Sequence, residues 1–297
     1  MRVVSLLPAA TEMVAALGDA SLLVGISHEC DFPEFIRHLP RVTTTPVDIR
    51  ASGPEIDREV QRLREAGKPV VAVDAAQLRR LRPDLILTQG LCEVCAIGDG
   101  QVQQLADLLN PRPSVLSLKD QDLAGIWDDI RAVGAALGLA HEAEELVRDL
   151  DTRLERLRGS LPQRAKRVLC IEWLEPLYLA GHWVPELVAA AGGMDVGAVP
   201  GSPSTRREWA ELSGLQPDHI LVALCGFGLE RARAELESLT NPAALEIMGR
   251  VPTWIIDGNA YTSRPGPRTV DGAAQIASAL RGRPLPEIEQ WQPVRVC

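Results

Sequence analysis

Long apolar runs are missing from this 297-residue chain, although 46% of its residues are hydrophobic. No stretch approaches the roughly 20 apolar residues that a helix needs to span a bilayer, so the sequence predicts no membrane insertion. A secretory signal is missing as well, because Pro8, Thr11 and Glu12 interrupt the apolar segment that follows Met1. As written, the sequence predicts a cytoplasmic protein.

Basic charge is also scarce. The chain has 31 Lys and Arg residues against 40 Asp and Glu residues, which gives a net charge of −9. Proteins that bind nucleic acid need a positive face to displace counterions, so we expect no nucleic-acid partner.

The motifs of common enzyme classes are missing too. The chain has no Gly-x-Ser-x-Gly sequence, no Walker loop, and no Gly-x-Gly-x-x-Gly after its first strand, whose turn is Leu7-Pro8-Ala9-Ala10. We therefore expect a protein that is not an enzyme and that requires no cofactor. The alternative is an enzyme in which Cys92 is the nucleophile and His28 is the base, which requires that the fold bring these two residues together.

Cysteines are few, and in a reducing compartment they are free thiols or metal ligands rather than disulfides. The pair Cys92-x-x-Cys95 can hold zinc through bonds of about 2.3 Å. His28, Cys30 and Cys225 could supply the remaining ligands. Two reduced thiols in a tight loop are the alternative. The motif keeps open a second function, that of a cytosolic thiol-dependent protein that binds zinc or another soft ion.

What the chain does contain is a strand-helix pattern that occurs twice. Residues 2–7 form an apolar strand segment followed by a helix of small residues, and residues 167–172 lead to a similar helix. A second pair of segments, 81–88 and 215–222, each places Pro-Asp directly before an apolar run. The repeat predicts two similar α/β lobes, and a cleft between lobes is a natural binding site.

Short apolar runs alternate with helical segments along the chain, which is typical of a mostly parallel sheet flanked by helices. The tail after Arg283 contains several prolines and is expected to run extended over the surface. The predicted strands are 3–7, 22–26, 70–73, 85–88 and 115–118 in the first lobe, and 168–171, 219–224 and 254–257 in the second.

A long helix is predicted between the two lobes. Residues 142–158 carry Leu146, Leu150 and Leu154 at helical spacing, and a helix of that length extends about 26 Å. We expect it to run from one lobe to the other in place of a flexible linker. The predicted domains are an N-terminal α/β lobe over 1–140, a linking helix over 141–160 and a C-terminal α/β lobe over 161–297.

The opening residues carry a family pattern. Ser5, Pro8, Thr11 and Glu12 form a Ser-x-x-Pro-x-x-Thr-Glu motif, and an Asp-Phe-Pro element follows at residues 31–33. With these motifs the sequence resembles the cobalamin-binding and iron-siderophore-binding solute-binding proteins, the helical-backbone (class III) receptors of ABC importers. The resemblance covers nearly the whole chain. It implies two α/β lobes joined by one long helix, with a ligand cleft between them.

The same resemblance implies a function. A member of this family holds cobalamin, another corrinoid or a metal chelate, and it delivers the ligand to a transporter permease. The family is typically periplasmic or lipid-anchored, whereas this chain as written has the features of a cytosolic member without a signal peptide.

Aromatic residues make up only 4% of the chain, yet Trp173, Tyr178 and Trp183 cluster after the first strand of the second lobe. Ligands of open α/β sheets lie beyond the carboxyl ends of strands, and flat rings suit a large planar macrocycle. The alternative is that one or two of these rings cap the core of the lobe.

Two other residues have both a binding and a structural interpretation. His28 could ligate a corrinoid cobalt or a haem iron, or it could be hydrogen-bonded within its loop. Arg264, near Arg268, could bind a ligand carboxylate or phosphate, or it could pair with acidic residues. The ligand-binding residues that we predict are Pro8, His28, Glu29, Gln89, Cys92, Trp173, Trp183, Tyr261 and Arg264.

Overall fold

The computed structural model describes residues 1–90, 99–119, 121–159, 164–283 and 288–291. The chain folds into two compact units, and each is described by itself. The first unit comprises residues 1–51, 55–120 and 124–149, and the second comprises residues 52–54, 121–123 and 150–297. No helix within the described ranges combines the length and the apolar character that crossing a membrane requires.

The first half of the chain contains short strands and helices in alternation. Its strands are β1 (Val3–Ser5), β2 (Leu23–Gly25), β3 (Thr43–Thr44), β4 (Ala72–Val73), β5 (Leu85–Gln89) and β6 (Ser114–Leu118). Its helices are α1 (Pro8–Ala16), α2 (Gly53–Glu65), α3 (Ala75–Leu81), α4 (Asp99–Asp107) and α5 (Leu123–Leu137).

The main sheet of the first unit is parallel, with strand order β2-β1-β5-β6. All three residues of β1 are fully buried, as expected for a parallel strand that helices cover on both faces. Val4 pairs with Ile86 in the sheet and packs with Leu78 and Val102 from the flanking helices. This sheet confirms the α/β class that the alternating pattern predicts.

One predicted strand of this unit lies outside the main sheet. Residues 70–73 were predicted to form a strand of the first lobe, and β4 covers Ala72–Val73 of that range and pairs antiparallel with β3. The strand is short because Asp74 follows it directly and begins α3. The Asp74 carboxylate accepts a hydrogen bond of 2.8 Å from the backbone N–H of Gln77, which is a typical helix N-cap.

A 20-residue helix, α6 (Ala140–Gly159), contains the point at which the two units divide. Its buried side chains are Ala143, Val147, Leu150 and Leu154, which follow the helical spacing of a single apolar face. The helix lies where the sequence predicts one. The domain limits at residues 140 and 160 stay a prediction.

The second unit contains a larger mixed sheet. Its strands are β7 (Lys166–Trp173), β8 (Tyr178–Leu179), β9 (Gly193–Asp195), β10 (Thr205–Arg206), β11 (His219–Val222), β12 (Thr253–Ile256) and β13 (Ile288–Trp291). Its helices are α7 (Val184–Ala190), α8 (Leu229–Ser238), α9 (Pro242–Arg250), α10 (Gly258–Tyr261) and α11 (Thr269–Leu280).

The centre of this sheet is parallel. β11 lies between β7 and β12, with Leu221 opposite both Cys170 and Trp254. The carboxyl ends of these three strands therefore meet at one edge of the sheet, where ligands of α/β proteins bind.

The described part of the C-terminal tail is extended, as predicted, but it is also an edge strand of the sheet. β13 pairs antiparallel with β12, and Thr253 lies opposite Trp291. The backbone groups of β12 on this side need hydrogen-bond partners, and an antiparallel edge strand supplies them.

Candidate functional site

A cavity of about 300 Å³ lies at the carboxyl edge of the sheet in the second unit. The ends of β7 and β11 place their following residues beside each other, because these strands are parallel neighbours. The cavity is lined by residues 52–54, by residues 173–175 at the end of β7, by Leu224 and Phe227 after β11, and by Glu235, Ser238 and Leu239 near the end of α8.

Two aromatic rings form one wall of this cavity. The centroids of the Trp173 and Phe227 rings lie 5.1 Å apart, with the ring planes tilted by 58°. The guanidinium carbon of Arg231 lies 3.7 Å from the centroid of the Phe227 ring, in a cation-π contact. Trp173 is half-buried, and its Nε1 atom is buried without a hydrogen-bond partner among the described residues.

The charged side chains among the lining residues are acidic. Glu235 accepts hydrogen bonds from the backbone N–H of Gly53 at 3.2 and 3.1 Å, one to each carboxylate oxygen. Glu175 also lines the cavity, whereas no lysine or arginine of the described residues does so.

The backbone is closely packed behind Leu224. A Cβ atom added to Gly258 would lie 2.1 Å from the carbonyl oxygen of Leu224, so only glycine fits there. The neighbouring Asp257 carboxylate accepts from the backbone N–H of Ala260 at 2.8 Å and begins α10. These contacts hold the cavity wall in place.

The other second-unit residues that the sequence analysis selected lie elsewhere. Trp183 is buried, and its Nε1 donates to the carbonyl oxygen of Thr262 at 2.9 Å. Arg264 is buried and donates to the Asn259 side-chain oxygen at 2.8 Å. Tyr261 is half-buried in α10. Of the predicted second-unit residues, Trp173 alone lines this cavity.

A polar cluster occupies the corresponding edge of the first unit, where β2 ends. The Thr43 hydroxyl accepts a 2.9 Å hydrogen bond from the backbone N–H of His28 and donates to the Ser27 hydroxyl at 3.1 Å. Because this bond uses the only proton of the hydroxyl, His28 Nδ1 donates to Thr43 Oγ1 at 2.6 Å. His28 Nε2 then carries a lone pair, and it is buried without a partner among the described residues.

The electrostatic environment keeps His28 neutral. Burial lowers the pKa of His28 below its ordinary value of 6.5, and Glu29 opposes this shift while Arg41 adds to it. A neutral imidazole with a free Nε2 lone pair is the form that ligates metals. The structure thus shows His28 hydrogen-bonded within its loop, and its role as a metal ligand stays a prediction.

Other first-unit predictions fall near this edge. Cys30 is buried, and its sulfur lies 3.1 Å from the Thr11 hydroxyl. Pro8 is the first residue of α1 and Gln89 is the last of β5, whereas Glu29 is exposed. The structure places all of them near the ends of parallel strands, and their ligand contacts stay a prediction.

The predicted metal site has no counterpart among the residues that the structure describes. Cys92 and Cys95 lie outside the described residues. In the described part of the chain, no group of three or more His, Cys, Asp and Glu residues is arranged to hold a metal ion. Cys225 is exposed in the second unit.

A buried acid and thiol lie elsewhere in the second unit. Asp195 Oδ1 accepts from the backbone N–H groups of Gly197 and Ala198 at 2.8 and 3.2 Å. Burial raises the pKa of Asp195 from 3.8 to about 6. Burial first, and the Asp195 charge second, raise the pKa of the Cys170 thiol well above 9.0.

Sequence reasoning missed several residues of the cavity. Phe227 lies three residues after the predicted strand 219–224, and an aromatic ring in the loop that follows a strand was a usable signal. No sequence signal pointed to Glu235, because its partner Gly53 is 182 positions away in the chain and α8 has the charge pattern of an ordinary surface helix.

Two α/β units, a long helix that contains their division, and a cavity at the carboxyl edge of a parallel sheet define a solute-binding protein. Sequence comparison agrees with this class. The sequence model of the family described as Periplasmic binding protein matches residues 3–254, so the chain belongs to that family. The expected kinship with class III solute-binding proteins of the cobalamin and siderophore family is confirmed.

Characterised relatives are distant but align over nearly their full length. The Vitamin B12-binding protein of Vibrio cholerae serotype O1 is 22% identical over 287 residues, which cover 94% of this chain and 89% of that protein. A periplasmic heme binding protein from Pseudomonas aeruginosa has a similar structure, with a TM-score of 0.71, 21% identity, and coverage of 100% of this chain and 99% of the other. The periplasmic vitamin B12 binding protein of Vibrio cholerae gives a TM-score of 0.62 at 22% identity, covering 95% and 97%.

Proposed function

We propose that this protein binds a corrinoid or another metal chelate and delivers it to the permease of an ABC importer. Membership of the periplasmic binding protein family supports the class of function. The names of the relatives, which bind vitamin B12 or heme, support the class of ligand. The protein acts by binding and release, without chemical conversion of its ligand.

The observation that carries the proposal is the aromatic-walled cavity at the end of β7 and β11. Its volume of about 300 Å³ lies at the small end of ligand sites, so it accepts one edge of a macrocycle with its side chains. The Trp173 and Phe227 rings provide rigid apolar area that loses little entropy when a flat ligand packs against it. The placement of the rest of the ligand between the two lobes stays a prediction.

Binding is tested by titrating the purified protein with cyanocobalamin, cobinamide, haemin and a ferric siderophore. Calorimetry and absorbance spectra should show a Kd in the micromolar range or tighter for at least one of them. Chromatography of the recovered ligand should show it unchanged after incubation. Absence of binding to every one of these compounds would overturn the proposal.

The site itself is tested with a matched pair of variants. Trp173→Ala removes the indole from the cavity wall, whereas Trp254→Phe changes a buried tryptophan of β12 that does not line the cavity. The proposal requires weaker binding in the first variant and unchanged binding in the second.

A further inference from the structure

We infer that the cavity of the second unit selects a metal macrocycle whose side chains end in primary amides over the same macrocycle with carboxylate side chains. The inference rests on the proposed function and concerns the same site. It follows from the hydrogen-bonding groups and the charges that line the cavity.

The acceptors of the cavity come first. Glu235 and Glu175 both line it. The two oxygens of a carboxylate offer about four lone-pair positions, and the Gly53 N–H occupies one position on each oxygen of Glu235. Glu235 can therefore accept further hydrogen bonds from a ligand. An amide NH₂ group donates two such bonds, whereas a ligand carboxylate donates none and repels the glutamates.

Trp173 contributes its ring to the cavity lining. Its Nε1 atom has no acceptor among the described residues, but it is buried beneath the surface that a ligand contacts. The amide preference therefore rests on the two glutamates as acceptors and on the charge of the lining.

The positive charge that a carboxylate side chain needs is missing from the cavity lining. No lysine or arginine of the described residues lines it. Arg231 is not among the lining residues, and its guanidinium packs on the Phe227 ring, 3.7 Å from the ring centroid. Arg264, which the sequence analysis considered as an anion site, is buried against Asn259.

The test keeps the macrocycle constant and changes only its side chains. Cobinamide, which carries primary amides, is compared with the corresponding corrinoid in which these amides are hydrolysed to carboxylic acids. The same pair is made on haem, as the bis-amide and the free bis-propionate. Affinities are measured by calorimetry at pH 7. We expect the amide form of the macrocycle that binds to have at least a tenfold lower Kd.

Two substitutions trace the preference to the glutamates. Glu175→Gln and Glu235→Gln each remove one negative charge from the cavity lining. The glutamine in Glu235→Gln keeps a side-chain oxygen that can accept the hydrogen bond from the Gly53 N–H. Both variants should reduce the amide preference at least threefold, and the double variant should reduce it further. Glu237→Gln, an exposed change on the same helix, should leave it unchanged. Thermal melts check that each variant is folded.

The outcomes separate the two claims. Equal affinity for both forms, tighter binding of the acid form, or a preference that survives in the folded double variant would overturn the inference while leaving the proposed function intact. Binding of neither corrinoid nor haem in any form would overturn the proposed function, and the inference with it.

Discussion

The Trp173 and Phe227 rings contact each other across a 5.1 Å centroid distance, although Trp173 ends β7 and Phe227 lies in the loop that follows β11. Their packing depends on the parallel pairing of β7 with β11, which brings both carboxyl ends to one edge. This ring pair is the rigid part of the proposed binding site.

Removal of one ring should weaken ligand binding. Phe227→Ala deletes a ring that is only 5% exposed and also leaves the Trp173 face and the Arg231 guanidinium without their partner. We expect at least a tenfold rise in Kd, equivalent to about 1.4 kcal/mol, measured by calorimetry. Phe35→Ala, a change at an exposed ring, is the control and should have no effect. Unchanged affinity in a folded Phe227→Ala protein would argue against this site.

Gly258→Ala should disturb the cavity wall. The added methyl group would meet the Leu224 carbonyl at 2.1 Å, so one of the two backbone segments has to move. We expect a loss of stability of about 1–3 kcal/mol together with weaker ligand binding. Urea unfolding and calorimetry measure the two effects. Gly214→Ala, where nothing lies within 4 Å of the added atom, is the control. Equal stability of the two variants would contradict this packing.

Asp195 should make the protein less stable as the pH rises. Its pKa is about 6 in the folded state and close to 3.8 in the unfolded chain. Between these values the folded protein holds a proton that the unfolded chain has released, so stability falls from about pH 4 to pH 6. The pKa difference corresponds to about 3 kcal/mol.

The measurement for Asp195 is urea unfolding at several pH values. Asp195→Asn should abolish this part of the pH dependence, while Asp128→Asn at a 79% exposed side chain should not. If the two variants show the same slope between pH 4 and 6, the buried carboxyl does not titrate as expected.

His28 should act in the opposite direction. Its pKa is lowered by burial, so on acidification the unfolded chain takes up a proton near pH 6.5 before the folded protein does. Stability is therefore present above that pH and is lost as the pH falls through it. His28→Asn should flatten the urea-unfolding profile between pH 7 and 5. His141→Asn, at a 79% exposed histidine, is the comparison and should leave the profile unchanged.

The apolar face of α6 can be tested in the same way. Leu150 is 1% exposed, and Leu150→Ala should cost about 2–5 kcal/mol of unfolding free energy. Leu146 on the same helix is half-buried, so Leu146→Ala should cost less than half as much. Similar losses in the two variants, measured by urea unfolding, would show that the buried face lies elsewhere.

Much of the fold could be predicted from local patterns. The runs 85–87 and 168–171 are apolar at every position, because parallel strands such as β5 and β7 are buried on both faces. The strand predicted over 70–73 is present in part as β4, but its pairing with β3 was not predicted, since an apolar run does not show which strand it pairs with. The tail pairing with β12 was missed for the same reason.

For the site, the sequence by itself determined which loops follow the strands, and therefore that Trp173 lies at a carboxyl edge. The tertiary structure alone decided that Glu235 meets Gly53, that Phe227 packs on Trp173, and that Trp183 is buried inside its unit. The physical reason is the separation along the chain of the residues that interact. Strand and helix patterns arise from neighbours a few residues apart, whereas a cavity is built by contacts between segments that are distant in the chain and that only the packed fold brings together.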